Sequence, residues 1–130
     1  MTLRRKYGNK KCEFQGQVFD SSLEMKRWLF LKDAERRGEI SSLRRQVEYI
    51  LIPAQYRTEV VHLKTKDKYV EKLIEKKCSY FADFVYDKDG VAVVEDTKGL
   101  RLQDYVIKRK LMLFLLGIQI REVKGPGEEI

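Results

Sequence analysis

In the run Tyr80-Phe81-Ala82-Asp83-Phe84-Val85-Tyr86, a single acid interrupts a segment otherwise apolar enough to be a buried strand. A carboxylate there needs a partner, because burying an unpaired charge is strongly disfavoured. The next strand-like run, Val91 to Thr97, ends with Asp96, and Lys98 follows two residues later. Side chains alternate along a strand, so Asp96 and Lys98 share a face with Ala92 and Val94, while Glu95 and Thr97 point the other way. The two runs are joined by Asp87-Lys88-Asp89-Gly90, in which Asp-Gly is a strong hairpin turn signal. With Asp89-Gly90 as a two-residue turn, Lys88 pairs with Val91 and Asp83 falls directly opposite Asp96, on the same face. Residues so opposed have Cβ atoms about 4.5–5.5 Å apart, and two carboxylates there repel unless a cation or a shared proton relieves them.

Oxygen donors at that spacing suit Mg²⁺, with Mn²⁺ as its substitute, since Mg²⁺ takes one or two carboxylates together with phosphate and water. Lys98 completes the set, as an ammonium able to orient or help deprotonate an attacking water, or to offset charge on phosphorus. The expected reaction is phosphodiester hydrolysis. A fourth acid, Glu24, falls on a helical wheel between Trp28 and Leu31, on the stripe that should face a sheet. Ser21-Ser22-Leu23-Glu24 also fits a capping box, in which the glutamate returns to the backbone of the cap, and both roles stay open. The competing reading of Asp83, Asp96 and Lys98 is a surface salt-bridge ladder of little energetic worth.

The elements that must position these groups are legible in outline. Asp20-Ser21-Ser22 starts a helix over 22–37, with Leu23, Trp28, Leu31 and Ala34 at helical spacing and Gly38 at its end. Residues 42–52 read as a strand stopping at Pro53, and 54–77 as a charged β-hairpin. After the Asp89-Gly90 hairpin, a helix over 103–116 closes on Gly117, a last strand spans 118–123, and 125–130 read as a flexible tail. The order helix, strand, hairpin, two hairpin strands, helix, strand predicts a single α/β domain, a mixed central sheet flanked by helices.

Composition narrows the partner. The 130 residues carry 43% hydrophobic and 36% charged side chains, the balance of a folded domain, and a formal charge of +7. That charge favours a polyanion, DNA first, because each cation set on a phosphate releases condensed counterions. The basic residues best placed to grip phosphates are Arg4, Arg5, Lys6, Lys10 and Lys11 in an N-terminal arm, and Lys108, Arg109 and Lys110 on the second helix. No apolar run reaches the roughly 20 residues of a membrane span, and the N-terminus lacks the apolar stretch of a secretory signal, so a cytoplasmic protein is expected. Cys12 and Cys78 have no zinc-site spacing and read as free thiols, and His62, amid polar residues, reads as a surface side chain.

The arrangement Glu24, then Asp83, then Asp96-Thr97-Lys98 resembles the PD-(D/E)XK nuclease superfamily, and the chain looks particularly like a group of small phage proteins within it. Lys6-Tyr7-Gly8-Asn9-Lys10, Phe19-Asp20-Ser21, Gly38-Glu39-Ile40, Ala82-Asp83-Phe84-Val85-Tyr86 and Val94-Glu95-Asp96-Thr97-Lys98-Gly99 carry the likeness almost end to end. The resemblance implies a restriction-endonuclease-like core. It also implies Mg²⁺ held by Asp83, Asp96 and the Thr97 carbonyl, Lys98 beside the nucleophilic water, and Glu24 as the helix-borne acid. The implied activity is that of a structure-directed or nicking DNA endonuclease in phage replication or recombination, and symmetric cutting of both strands would call for a homodimer. A non-catalytic DNA-binding or recombination accessory protein of the same fold is the alternative, and an RNA-processing nuclease shares the metal chemistry. Two departures stand out: Ala82 where the superfamily name has proline, and a charged stretch, 57–77, longer than the core needs.

Overall fold

The structure is a computed structural model that describes residues 11–97 and 102–130. It has an α/β architecture built on a four-stranded mixed sheet in the order β3 (Ser41–Ile52), β6 (Cys78–Lys88), β7 (Val91–Thr97) and β8 (Arg121–Val123). The first three strands run antiparallel, and β8 joins β7 in parallel after the crossover through α2 (Gln103–Leu116). Helix α1 (Ser22–Arg36) packs Leu31 and Ala34 on one face of the sheet, against Phe84 and Tyr86. On the other face α2 packs Tyr105 and Met112 against Ala82, Val85 and Val94. A short hairpin, β1 (Cys12–Phe14) and β2 (Gln17–Phe19), precedes α1, in a stretch whose sequence carries no clear periodicity.

Local signals explain the main turns. Asp89 and Gly90 have φ of 50° and 78°, the pair of left-handed residues that a tight hairpin requires, and Lys88 pairs with Val91. The register then runs as far as Phe84 opposite Glu95, one step short of Asp83 and Asp96. Helix α2 ends on Gly117, left-handed at φ 67°, whose N–H bonds back to Leu113.

Alternation along the central strands is not continuous. Leu43 and Arg45 of β3 face the α1 side, whereas Val47, Tyr49 and Leu51 pack on the α2 side. On β6, Tyr80 and Ala82 face α2 while Phe84 and Tyr86 face α1. Both strands therefore exchange faces at one level, between Arg45 and Val47 and between Ala82 and Phe84. Gln46 there has φ 48°, a left-handed conformation that a non-glycine residue rarely adopts.

Residues 54–77 hold a two-stranded ribbon, β4 (Gln55–His62) paired with β5 (Asp67–Glu75), which forms its own sheet and is exposed along its whole length. The C-terminal segment corrects the expectation of a flexible tail. The Pro126 and Glu128 carbonyls accept from Arg27 Nη1, and the Glu128 carboxylate accepts from the backbone N–H of Lys124 and Gly125. These bonds fold residues 125–130 back on the body. No helix among the described residues is long and apolar enough to cross a membrane, and both cysteines are free.

Candidate active site

Glu24 enters the site from the first turn of α1. The Ser21 hydroxyl caps the helix by accepting from Glu24 N–H at 3.1 Å. The Glu24 carboxylate does not complete a capping box; it accepts from Gln46 Nε2 at 3.0 Å, with Arg45 Nη2 3.6 Å away. The residue is 3% exposed. Burial, then the charges of Asp83 and Asp20, push its carboxyl up from 4.5 to about 7, and Gln46 and Arg45 offset this only in part. The open question of cap or site thus resolves by atom: the backbone N–H is capped, and the carboxylate faces the strands.

Asp83 is the hub. Its Oδ1 accepts from the same Gln46 amide at 3.2 Å, so one side-chain nitrogen joins the helix-borne acid to the strand-borne one. Its Oδ2 accepts from Thr97 N–H at 2.9 Å and from Thr97 Oγ1 at 2.8 Å, which ties β6 to the end of β7. Asp83 also lies near enough to Tyr80 to help raise that phenol.

Asp96 lies one residue past the last β7 position paired with β6, as Asp83 does on β6, and its carboxylate takes different partners. It is 1% exposed and accepts from Tyr80 Oη at 2.5 Å, beside Tyr105, on the α2 side. Burial first, and then the Asp96 charge, raise both phenols far above the usual tyrosine range, so each stays protonated. The single shared face expected for the two acids is therefore corrected. The exchange of faces at Gln46 and Asp83 lets Asp83 turn towards Gln46 and Thr97, while Asp96 keeps the regular alternation and faces α2. Gln46 joins Glu24 to Asp83, while Tyr80 binds Asp96 and feels the charge of Asp83. Among the described residues, no three of His, Cys, Asp and Glu converge as a metal-holding group.

The neighbour of Asp96 plays a different part. Glu95 is fully buried and receives a bidentate ion pair from Arg27, Nε to Oε1 and Nη2 to Oε2, both at 2.8 Å. Tyr86 Oη donates to the same carboxylate, and Arg121 stands 3.7 Å away. This clamp pins β7 to α1 and fixes which of the two consecutive acids faces each side, as alternation predicted. Arg27 is itself fully buried, on the stripe of Glu24, Leu31 and Ala34. That helical spacing was its only sequence signal. Gln46 and Tyr80 carried none, since a polar residue within a strand and a tyrosine within an apolar run are both ordinary.

Beside Glu24 opens a cleft of about 220 Å³ lined by Val18, Asp20, Glu24, Arg45 and Gln46. The Arg45 guanidinium lies 3.9 Å from the Phe19 ring centroid and donates to the Val18 carbonyl at 3.0 Å. Of the proposed phosphate-binding residues, Lys11 and Lys110 are exposed and Lys108 is half-buried. Arg109 is paired with Glu122 Oε1 at 3.1 Å, and its side chain is about a third exposed. Arg4, Arg5, Lys6, Lys10 and Lys98 lie outside the described residues.

A family model described as "Protein of unknown function (DUF1064)" matches residues 4–126. The chain belongs to this family. Comparison with curated proteins and comparison with solved structures each found no match. The span matched by the DUF1064 model takes in Glu24, Gln46, Asp83, Asp96 and Lys98, and the ribbon of β4 and β5 as well.

Proposed function

We propose that this chain is a metal-dependent DNA endonuclease of the PD-(D/E)XK type, with a restriction-endonuclease-like core and a role in handling phage DNA. The observation that carries the reading is the Gln46 amide joining Glu24 to Asp83, which sets an acid from the first helix against an acid from the central hairpin. The donor chemistry fits Mg²⁺ or Mn²⁺. All candidate ligands are oxygens, and Glu24 is pushed to about 7 by burial and by a local excess of negative charge that a divalent cation would offset. Glu24 and Asp83 would hold the ion, with Asp96 and the Thr97 carbonyl adjoining on β7. When bound it polarises a phosphoryl oxygen and acidifies water.

The remaining chemistry falls to the chain itself. Gln46 orients the two carboxylates, and the Thr97 amide and hydroxyl hold Asp83 in place. Tyr80 restrains Asp96, which would have to leave the phenol to help Asp83 hold an ion. Lys98, two residues after Asp96, would orient the attacking water or help deprotonate it by placing positive charge beside it. Purified protein is expected to cut supercoiled, branched or single-stranded DNA with Mg²⁺ or Mn²⁺ and to stop on addition of EDTA. Asp83→Ala and Lys98→Ala should each lower the rate by about 10²-fold or more. Cleavage unchanged in both variants would falsify the assignment.

The engagement of Asp96 by Tyr80 favours one second reading, a non-catalytic DNA-binding or recombination accessory protein of the same fold. It predicts salt-sensitive binding without metal dependence, and little effect of Asp96→Asn.

A further inference from the structure

The ribbon of β4 and β5 has two unlike faces. Its register sets Tyr56 opposite Leu73 and Val60 opposite Tyr69 on one face, where these two apolar pairs alternate with Thr58 opposite Glu71 and His62 opposite Asp67. The other face carries Arg57 opposite Lys72, Glu59 opposite Val70, and Val61 opposite Lys68. Lys64 and Lys66 stand in the loop at the tip. Like charges directly opposed across a strand pair destabilise it, so the Arg57 and Lys72 pair is a cost that the ribbon alone does not offset. Among the described residues Glu59, 3.7 Å from Lys72 and well exposed, offsets it only in part. Arg57 and Lys68 have no ion-pair partner among the described residues.

An isolated two-stranded hairpin is also marginally stable in water. With strands of eight and nine residues, this one extends roughly 27 Å at the usual rise. The face of Tyr56 and Tyr69 is mixed and carries the acids Glu71 and Asp67, whereas the face of Arg57, Lys68 and Lys72 sets three cations against the single acid Glu59, which favours a polyanion there. The major groove of B-form DNA is about 12 Å wide and admits a two-stranded β-ribbon, whereas the deep, narrow major groove of A-form RNA does not.

We propose that the β4 and β5 ribbon is a docking arm for duplex DNA, with Arg57, Lys68 and Lys72 on backbone phosphates. The inference rests on the reading of the chain as an enzyme acting on DNA, and extends it by placing the grip outside the core. Neither strand carries a candidate catalytic group, so binding through the arm separates cleanly from chemistry at Asp83.

The test is fluorescence anisotropy of the full chain with a labelled B-form duplex, over a salt series in EDTA. Replacing Arg57, Lys68 and Lys72 together by threonine, which keeps the strand propensity, should flatten the log–log salt slope by about 2 to 3, at roughly 0.9 for each phosphate that is no longer neutralised. Glu59→Gln, which frees Lys72, should tighten binding and keeps the test informative if the triple variant loses its ribbon. Tyr69→Thr, on the opposite face, should leave the slope unchanged. A triple variant with the wild-type slope and an unaltered Glu59→Gln overturn the arm, as does a matched RNA duplex bound equally well. So does a dimer dissociated by Tyr69→Thr in sedimentation while the triple variant keeps its slope. A wild-type chain that binds no duplex overturns the arm alone, while the nuclease reading falls separately, on cleavage unchanged in Asp83→Ala and Lys98→Ala.

Discussion

Replacing Glu24 by glutamine should remove a pH dependence of stability that wild type carries. The native carboxyl titrates at about 7 against 4.5 for an ordinary glutamate, and burial is the first cause. Below about pH 4.5 the group is protonated in both states and imposes no penalty. As pH rises towards about 7 the unfolded chain releases the proton while the native chain holds it. Stability contributed by the neutral carboxyl is therefore lost across that window, and above it the full cost remains. Lifting the carboxyl from 4.5 to about 7 corresponds to about 3 kcal/mol, at roughly 1.4 kcal/mol for each pH unit. The side chain is 4% exposed, so solvent screening takes little from this figure. Urea unfolding of both proteins in EDTA, at about pH 4, pH 6 and pH 8, gives the difference directly. Glutamine should gain on wild type by about 3 kcal/mol between the lowest and highest pH, because it fills the same space and still accepts from Gln46. A difference flat to within about 0.5 kcal/mol would show that the carboxyl is not held neutral and would refute the argument. On the nuclease reading, added Mg²⁺ at the highest pH should stabilise wild type more than Glu24→Gln.

Three further outcomes test the surrounding network. Arg27→Met leaves the Glu95 charge buried beside Tyr86 and should cost about 3–5 kcal/mol in denaturant unfolding, and adding Glu95→Leu should recover much of it. If the double variant is as weak as the single, the loss comes from packing rather than from charge. Tyr80→Phe strips the donor from a buried carboxylate and should cost about 1–3 kcal/mol, visible as a lower Tm, whereas an unchanged melt would mean that Asp96 is satisfied elsewhere. Gly90→Ala, at φ 78° in the tight turn, should destabilise by about 1 kcal/mol, and a neutral result would show that the turn relaxes.

The hairpin and its register were legible because Asp89-Gly90 is a local signal and pairing outward from it is arithmetic. Helix α2 was legible from its apolar spacing and Gly117, and Glu24 from its place on a helical wheel. The side on which Asp83 acts was not, because the count assumed unbroken alternation and nothing in Arg45-Gln46-Val47 announces a left-handed backbone. Arg27 gave no sign of its role, because a charged residue on an apolar stripe is normally solvated, and its partner Glu95 lies far along the chain. The tail misled for a similar reason: Gly-Pro-Gly reads as loose, and the guanidinium that receives its carbonyls comes from α1. The misses thus come from one local backbone turn without a glycine and from contacts distant in sequence, neither of which composition or periodicity reveals.

The crossing of faces at Gln46 has a consequence for anyone transplanting this constellation. An idealised scaffold with uniformly pleated strands would commit position 83 to one layer, stranding the acid with either Glu24 or Tyr80 but never between them. The grafted unit must therefore include the left-handed glutamine and the level of β6 beside it, since it is this seam between two half-sheets that lets Asp83 meet Gln46 and Thr97 while Asp96 keeps Tyr80.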